Sequence, residues 1–242
     1  MTGALRCLAA GATHAGAVRS VNEDAFMSRP DAGLFAVADG VGGHTRGDVA
    51  SRLVCDRLAA LPVPATAPAF YVAVRDAIQD ANASLRAEAA RRSVDAVATT
   101  VVALLVFDHH YACVWAGDSR LYICRDGRLD QISRDHSYVQ EMVDLGLLSP
   151  AEAEGHANAN AVTRAVGADA ALEIEAVQDE LAPGDVFLLC SDGLSKVVPD
   201  EEAARILAAA PLDDAPTALI EAAIARGAPD NVTVVVVRIA EA

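Results

Sequence analysis

The chain has 242 residues, is 53% hydrophobic and carries a formal net charge of −15. That is enough apolar content for a full hydrophobic core, in one large domain or two small ones. The acidity argues against a nucleic-acid backbone or an anionic membrane surface as main partner, and no apolar run reaches the roughly 18–20 residues of a membrane span.

The first third reads as strand, strand, helix, helix. Gly33 to Ala38 is a strand ending at Asp39. Gly47 to Leu61 carries Val49, Leu53, Val54, Leu58 and Leu61 at helical spacing. Pro62, Pro64 and Pro68 break the chain, and the helical period resumes from Phe70 to Arg92. Strands follow at Thr99 to Phe107 and Tyr111 to Ala116, around a polar Asp108-His109-His110 turn. Leu121 to Cys124 and Arg128 to Ile132 flank Asp126-Gly127, a two-residue hairpin signal. A flap is expected over about 138–165, with short helical pieces; one opens at Ser149-Pro150, with Ser as N-cap and Pro at N1. Gly155 to Asn160 has little to bury. Strands return at Leu172 to Val177, Asp185 to Cys190 and Val232 to Ile239, with helices at Asp200 to Ala210 and Ala215 to Arg226. No linker or repeat interrupts 1–242, so a single domain is expected. Short turns imply antiparallel pairing, and the helical pairs imply two antiparallel sheets packed face to face with helices outside.

The five cysteines are odd in number, form no Cys-x-x-Cys pair and sit mostly in apolar runs. This is the pattern of reduced, packed thiols in a cytoplasmic protein. The N-terminus shows no signal-peptide pattern.

Four aspartates sit beside turn residues at the edges of apolar runs: Asp39 before Gly40, Asp118 after Gly117, Asp192 before Gly193, and Asp230 after Pro229. Carboxylates at strand ends are held rigidly and meet solvent at one side of the core. Burying several together is costly without cations. Oxygen-only ligands suit Mg²⁺ or Mn²⁺, and two ions about 3.5–4 Å apart could share a bridging water that attacks phosphorus in line. Arginine suits the phosphate because its fork is bidentate. Arg19, ahead of Asn22-Glu23-Asp24, is the candidate. Asp126-Gly127 lies between two alternating strands and reads as a turn only.

Arg19-x-x-Asn22-Glu23-Asp24, Asp39-Gly40-x-Gly42-Gly43-His44, Thr99-Thr100, Gly117-Asp118-Ser119-Arg120, Asp135-His136-Ser137, Ser191-Asp192-Gly193 and Pro229-Asp230-Asn231-Val-Thr occur in this order. From about residue 11 to 239 the ordered set resembles the PP2C (PPM) family of metal-dependent protein serine/threonine phosphatases in its short bacterial form. The resemblance implies an α+β fold: a four-layer α-β-β-α sandwich, with two central antiparallel sheets flanked by helices. It implies two core Mn²⁺ or Mg²⁺ ions bridged by Asp39, with the Gly40 carbonyl, Asp192 and Asp230 completing the protein ligands. Asp118 would help hold a weaker third ion with Asp192, Arg19 would orient the phosphate, and Asp24 would act through metal-bound water. The reaction implied is direct attack by a hydroxide bridging the two ions. Implied partners are phosphorylated proteins and a cognate bacterial Ser/Thr kinase, in a monomeric enzyme; type VI secretion control is one such setting.

Three departures stand out. Val41 occupies a position where some members, notably eukaryotic ones, carry a histidine proposed as general acid. Ala98 and Ala228 replace small glycines near the motifs. An inactive phosphoprotein-binding regulator of the same fold is the alternative, and the sigma-factor-regulating branch is disfavoured by the intact Arg-x-x-Asn-Glu-Asp segment. His136 is expected to be a structural hydrogen-bonding residue. A cysteine-based phosphatase is excluded, because the sixth residue after each cysteine is Thr13, Leu61, Ser119, Asp130 or Lys196, never arginine. A Walker A loop is excluded too, because the only lysine, Lys196, follows serine.

Overall fold

The computed structural model describes residues 5–41, 46–63 and 65–241, so the Gly42-Gly43-His44 readings lie outside the described residues. In chain order come β1 (Leu5–His14), β2 (Ala25–Arg29), β3 (Leu34–Ala38) and the short β4 (Gly40–Val41). Helices α1 (Gly47–Ala59) and α2 (Ala67–Arg92) follow. Next are β5 (Ala98–Thr99), β6 (Val101–Phe107), β7 (His110–Ala116), β8 (Arg120–Arg125) and β9 (Arg128–Gln131). Then come α3 (Tyr138–Asp144), α4 (Pro150–Glu154), β10 (Glu175–Glu180) and β11 (Val186–Cys190). The chain continues through α5 (Asp192–Ser195), α6 (Asp200–Ala209), α7 (Ala215–Ala225) and β12 (Val232–Glu241).

One five-stranded sheet has the order β1-β12-β11-β8-β9, the other β10-β7-β6-β3-β2, and β4 pairs with β5 alone. Every pairing within them is antiparallel. The central strands of both sheets, such as β3, β6, β11 and β12, are apolar on both faces because both faces are covered. In β3, Leu34, Ala36 and Ala38 face α1 and α2, whereas Phe35 and Val37 point between the sheets. In β11, Phe187 and Leu189 join that middle layer, while Leu188 and Cys190 pack against α6 and α7. Each large side chain so buried contributes about 1.5–3 kcal/mol. The expected four layers are therefore present.

Three boundaries differ from expectation. Pro68 does not break the chain; it occupies the first turn of α2, where its missing N–H has no partner to lose. The Thr99–Phe107 run divides at Thr100, whose N–H bonds the Asp39 carbonyl at 2.8 Å instead of continuing the β6 ladder. The strand read at Leu172–Val177 pairs at Glu175–Glu180. Leu172 is instead a buried anchor against α2, its carbonyl accepting from Gln79 Nε2 at 2.8 Å.

The first third holds four strands, β1 to β4, before its two helices, where two were expected; β1 and β2 are edge strands, half-exposed and without a continuous apolar run. Asp126 and Gly127 both have positive φ and close the β8–β9 hairpin. Ser149 and Glu152 form a capping box at the start of α4. All five cysteines are free.

Candidate active site

The chain ends and crossings of both sheets meet at one edge of the sandwich. Asp39 leaves β3, Asp118 lies in the turn carrying the chain from β7 to β8 across the two sheets, Asp192 follows β11, and Asp230 precedes β12. All four line one pocket of about 290 Å³, with Arg19, Gly40 and Lys196. The sequence-predicted residues are thus brought together, except Asp24, which is buried behind the pocket wall at 6% exposure.

The backbone around each carboxylate is fixed. Asp39 N–H donates to Thr100 Oγ1 at 3.0 Å, and the Asp39 carbonyl accepts from Thr99 Oγ1 at 2.8 Å. Thr100 Oγ1 also meets Ser119 Oγ at 2.7 Å, which ties the Asp39 strand end to the Asp118 turn. That turn needs glycine: Gly117 has φ +120°, and a Cβ there would lie 2.5 Å from Thr100 Cβ. Gly40 is equally constrained, since a Cβ would stand 2.4 Å from the Gly47 carbonyl carbon at the start of α1. Glu23 Oε1 caps that helix by accepting from Gly47 N–H at 3.0 Å.

Asn231 positions the arginine segment. Its Oδ1 accepts from Glu23 N–H at 2.8 Å, and its Nδ2 donates to the carbonyls of Ala15 (3.0 Å) and Val21 (2.9 Å). The loop so held delivers Arg19, whose Nη2 lies 2.8 Å from Asp230 Oδ2. Asn231 N–H in turn bonds Asp230 Oδ1 at 2.9 Å.

Lys196 is the residue that sequence reasoning missed. It lies four residues beyond Asp192, across the single turn of α5, and its Nζ is 2.5 Å from Asp192 Oδ2 and 3.5 Å from Asp118 Oδ2. It also donates to Asn160 Oδ1 at 2.8 Å, which joins the 138–165 segment to the pocket. The available signal was the i, i+4 acid–base spacing of a helix where only a turn was read. His136 is structural as expected: its Nδ1 accepts from Gly117 N–H at 3.1 Å and its ring stacks on Trp115.

Among the described residues, no three acidic, histidine or cysteine side chains stand close enough to form a closed metal-ligand set. The carboxylates ring the pocket, with Arg19 and Lys196 between them. Their protonation reflects burial first and mutual repulsion second. Burial, and then Asp24, Asp192, Asp118 and Asp230, push the Asp39 carboxyl well above its ordinary range. Burial pushes Asp24 up to about 7, opposed by hydrogen bonds from Thr233 and Ser191. Burial, then Asp192, pushes Asp118 up to about 6.

The folded state therefore favours the neutral carboxyls. Their contribution to stability is fully present below about pH 4 and is lost as pH rises through about 6 to 7. The melting temperature of chelator-treated protein is expected to fall between pH 5 and pH 8, and Mn²⁺ should flatten that fall. A melting temperature that rises over the same interval in chelator would mean that these groups are ionised and well paired in the fold.

The protein phosphatase 2C family profile matches residues 10–219. The chain is 38% identical over 222 residues to the serine/threonine protein phosphatase PstP of Mycobacterium tuberculosis, covering 91% of this chain. It spans only 43% of that relative's length. Among solved structures, PppA, described as a key regulatory component of the T6SS in Pseudomonas aeruginosa, is similar with a TM-score of 0.91. Its identity is 42%, covering 98% of this chain and 100% of PppA. The catalytic domain of PstP, solved with two manganese ions, gives a TM-score of 0.88 and 35% identity, covering 98% and 99% of the two chains.

Proposed function

This chain belongs to the protein phosphatase 2C family, and on that premise we propose that it hydrolyses phosphoserine and phosphothreonine in proteins, reversing the work of a Ser/Thr kinase. The observation that carries the reading is the convergence of Asp39, Asp118, Asp192 and Asp230 on one pocket with Arg19 at its rim. The description of PppA as a regulatory component of the T6SS supports a setting in type VI secretion control. The five free thiols support a cytoplasmic location.

The residues fit divalent cations. Asp192 Oδ1 and Asp24 Oδ1 are buried side-chain oxygens with no hydrogen-bond partner, a costly arrangement unless something positive or a proton satisfies them. The donors are all oxygens, which suits Mn²⁺ and Mg²⁺. Asp39, the Gly40 carbonyl, Asp192 and Asp230 would hold two ions, and Asp118 with Asp192 a weaker third. Bound there, the ions would neutralise phosphate charge and supply a water nucleophile acidic enough to ionise near neutral pH.

The chain's own residues do the rest. Arg19 exposes about half of its side chain and spends one Nη2 bond on Asp230. Its remaining donors have no partner among the described residues, which leaves a fork for two phosphate oxygens. Asp24 accepts from Ser191 Oγ at 2.7 Å on Oδ2, and its buried Oδ1 has no protein partner, so it would hold a water behind the pocket wall. Val41, which lines the pocket, has no ionisable group, so it takes no part in protonating the leaving group.

The test is hydrolysis of p-nitrophenyl phosphate and of a phosphothreonine peptide by the purified protein with Mn²⁺. Both are expected to turn over. Folded, Mn²⁺-loaded protein that leaves both intact would replace this reading with that of a phosphoprotein-binding regulator. Arg19→Ala is expected to weaken transition-state binding by about 1.5–3 kcal/mol, the scale of a charge-assisted hydrogen bond. Unchanged kcat and KM in that variant would remove Arg19 from the mechanism.

A further inference from the structure

A second depression, of about 580 Å³, borders the catalytic pocket. Val41 and Val162 line both, so the two lie side by side across a shared apolar wall. One bank is the segment between α2 and β5, the other the segment where the flap returns to the sandwich. Small residues, Ala98 and Ala165 among them, keep the trough between the banks unfilled.

The banks are braced. Thr99 N–H bonds the Val166 carbonyl at 2.9 Å, and Val166 N–H bonds the Thr99 carbonyl at 2.8 Å. Asn82, 3% exposed on α2, accepts from Gly167 N–H at 2.6 Å and donates to the Asp169 carbonyl at 3.0 Å. The trough is therefore part of the scaffold.

Its charge is one-sided. Asp95 on one bank and Asp169 on the other are exposed. The carboxylates of both lack a hydrogen bond or ion pair among the described residues. Nearby cations are engaged elsewhere: Arg91 and Arg92 with Glu88, and Arg164 with Glu173 and Glu175. The formal net charge of −15 adds a long-range attraction for cationic chains. A catalytic pocket of about 290 Å³ suits one phosphorylated side chain, and the remainder of a protein substrate needs an adjoining channel.

We propose that this trough binds the substrate polypeptide on one side of the phosphorylated residue, and that Asp95 and Asp169 select an arginine or lysine there. The proposal rests on the phosphatase reading above and adds a substrate class to it: phosphoserine or phosphothreonine flanked by basic sequence.

The test compares phosphothreonine peptides bearing arginine or glutamate two to four residues before the phosphothreonine, and a second set with the same residues after it. In one set, arginine is expected to raise kcat/KM about tenfold over glutamate. The Asp95→Asn/Asp169→Asn double variant should erase that preference and leave p-nitrophenyl phosphate hydrolysis unchanged, since the small ester reaches only the catalytic pocket. Ala168→Trp, which fills the trough, should slow every peptide and spare the small ester. Fluorescence anisotropy with the same labelled peptides reads the preference as affinity without turnover. Equal rates and affinities for arginine and glutamate peptides in the unaltered protein, or a preference that survives in the double variant, overturn the proposal. Failure of p-nitrophenyl phosphate hydrolysis overturns the phosphatase reading instead.

Discussion

Asp39→Asn should abolish Mn²⁺-dependent hydrolysis and, in chelator at pH 8, raise the melting temperature. The two effects have one cause. Asp39 stands where β3 ends, facing Asp118, Asp192 and Asp230 across the pocket, and its charge is opposed by burial and by every one of those neighbours. Asparagine keeps the shape and leaves untouched the backbone bonds to Thr99 and Thr100. It removes the charge that the fold tolerates least, so chelated protein should gain stability, by about 1 kcal/mol or more. Changes to residues that merely support a metal ligand cost 10–100-fold, so loss of the proposed shared ligand should cost more than about 100-fold. Rates on p-nitrophenyl phosphate and thermal melts with and without Mn²⁺ check both halves. A lower melting temperature in chelator would show that this carboxylate stabilises the fold, and retained activity would deny it the role of ligand.

Asn231→Ala should cost both stability and substrate binding. It strands three backbone groups at once: Glu23 N–H and the carbonyls of Ala15 and Val21. An unsatisfied polar group costs about 1–3 kcal/mol when buried. This loop is partly open to water, so about 2–4 kcal/mol in total is expected, read as a drop in melting temperature. The loop that carries Arg19 loses its anchor too, and KM should rise. A double-mutant cycle separates the structural role from the positioning role. If Asn231 acts through Arg19, then Arg19→Ala/Asn231→Ala should lose little more kcat/KM than Arg19→Ala alone. Fully additive losses would leave Asn231 as a stability residue only.

Much of this was legible in the chain. Each aspartate follows or precedes an apolar run, and the two-sided burial that makes those runs continuous also fixes where they stop. The Asp126-Gly127 pair shows the limit of the signal: the same dipeptide, between alternating strands, closes an ordinary hairpin far from the pocket. Lys196 was hidden because a four-residue helix leaves no periodic trace, and its partners Asp118 and Asn160 are distant in sequence. Asn160 itself sits in a stretch with nothing to bury and hence no pattern. The shift of β10 to Glu175–Glu180 has a similar origin. An exposed edge strand such as Gln178-Asp179-Glu180 takes its register from its neighbour, β7, and apolar spacing pointed to Leu172 instead. The contacts of Asn231 join residues more than 200 positions apart, and no local rule encodes them.

The pairing of β1 with β12, from Leu5 opposite Glu241 to His14 opposite Val232, bears on how the protein is made. β12 lies between β1 and β11 and delivers Asp230 and Asn231. While the ribosome is still upstream of it, β1 has no partner, the arginine loop has no anchor and the pocket lacks one wall. Local hairpins and helices can form during synthesis, but this edge of the sandwich closes only after the last strand emerges. A nascent chain therefore lacks this wall of the pocket, and the anchor of the Arg19 loop, until β12 has been synthesised.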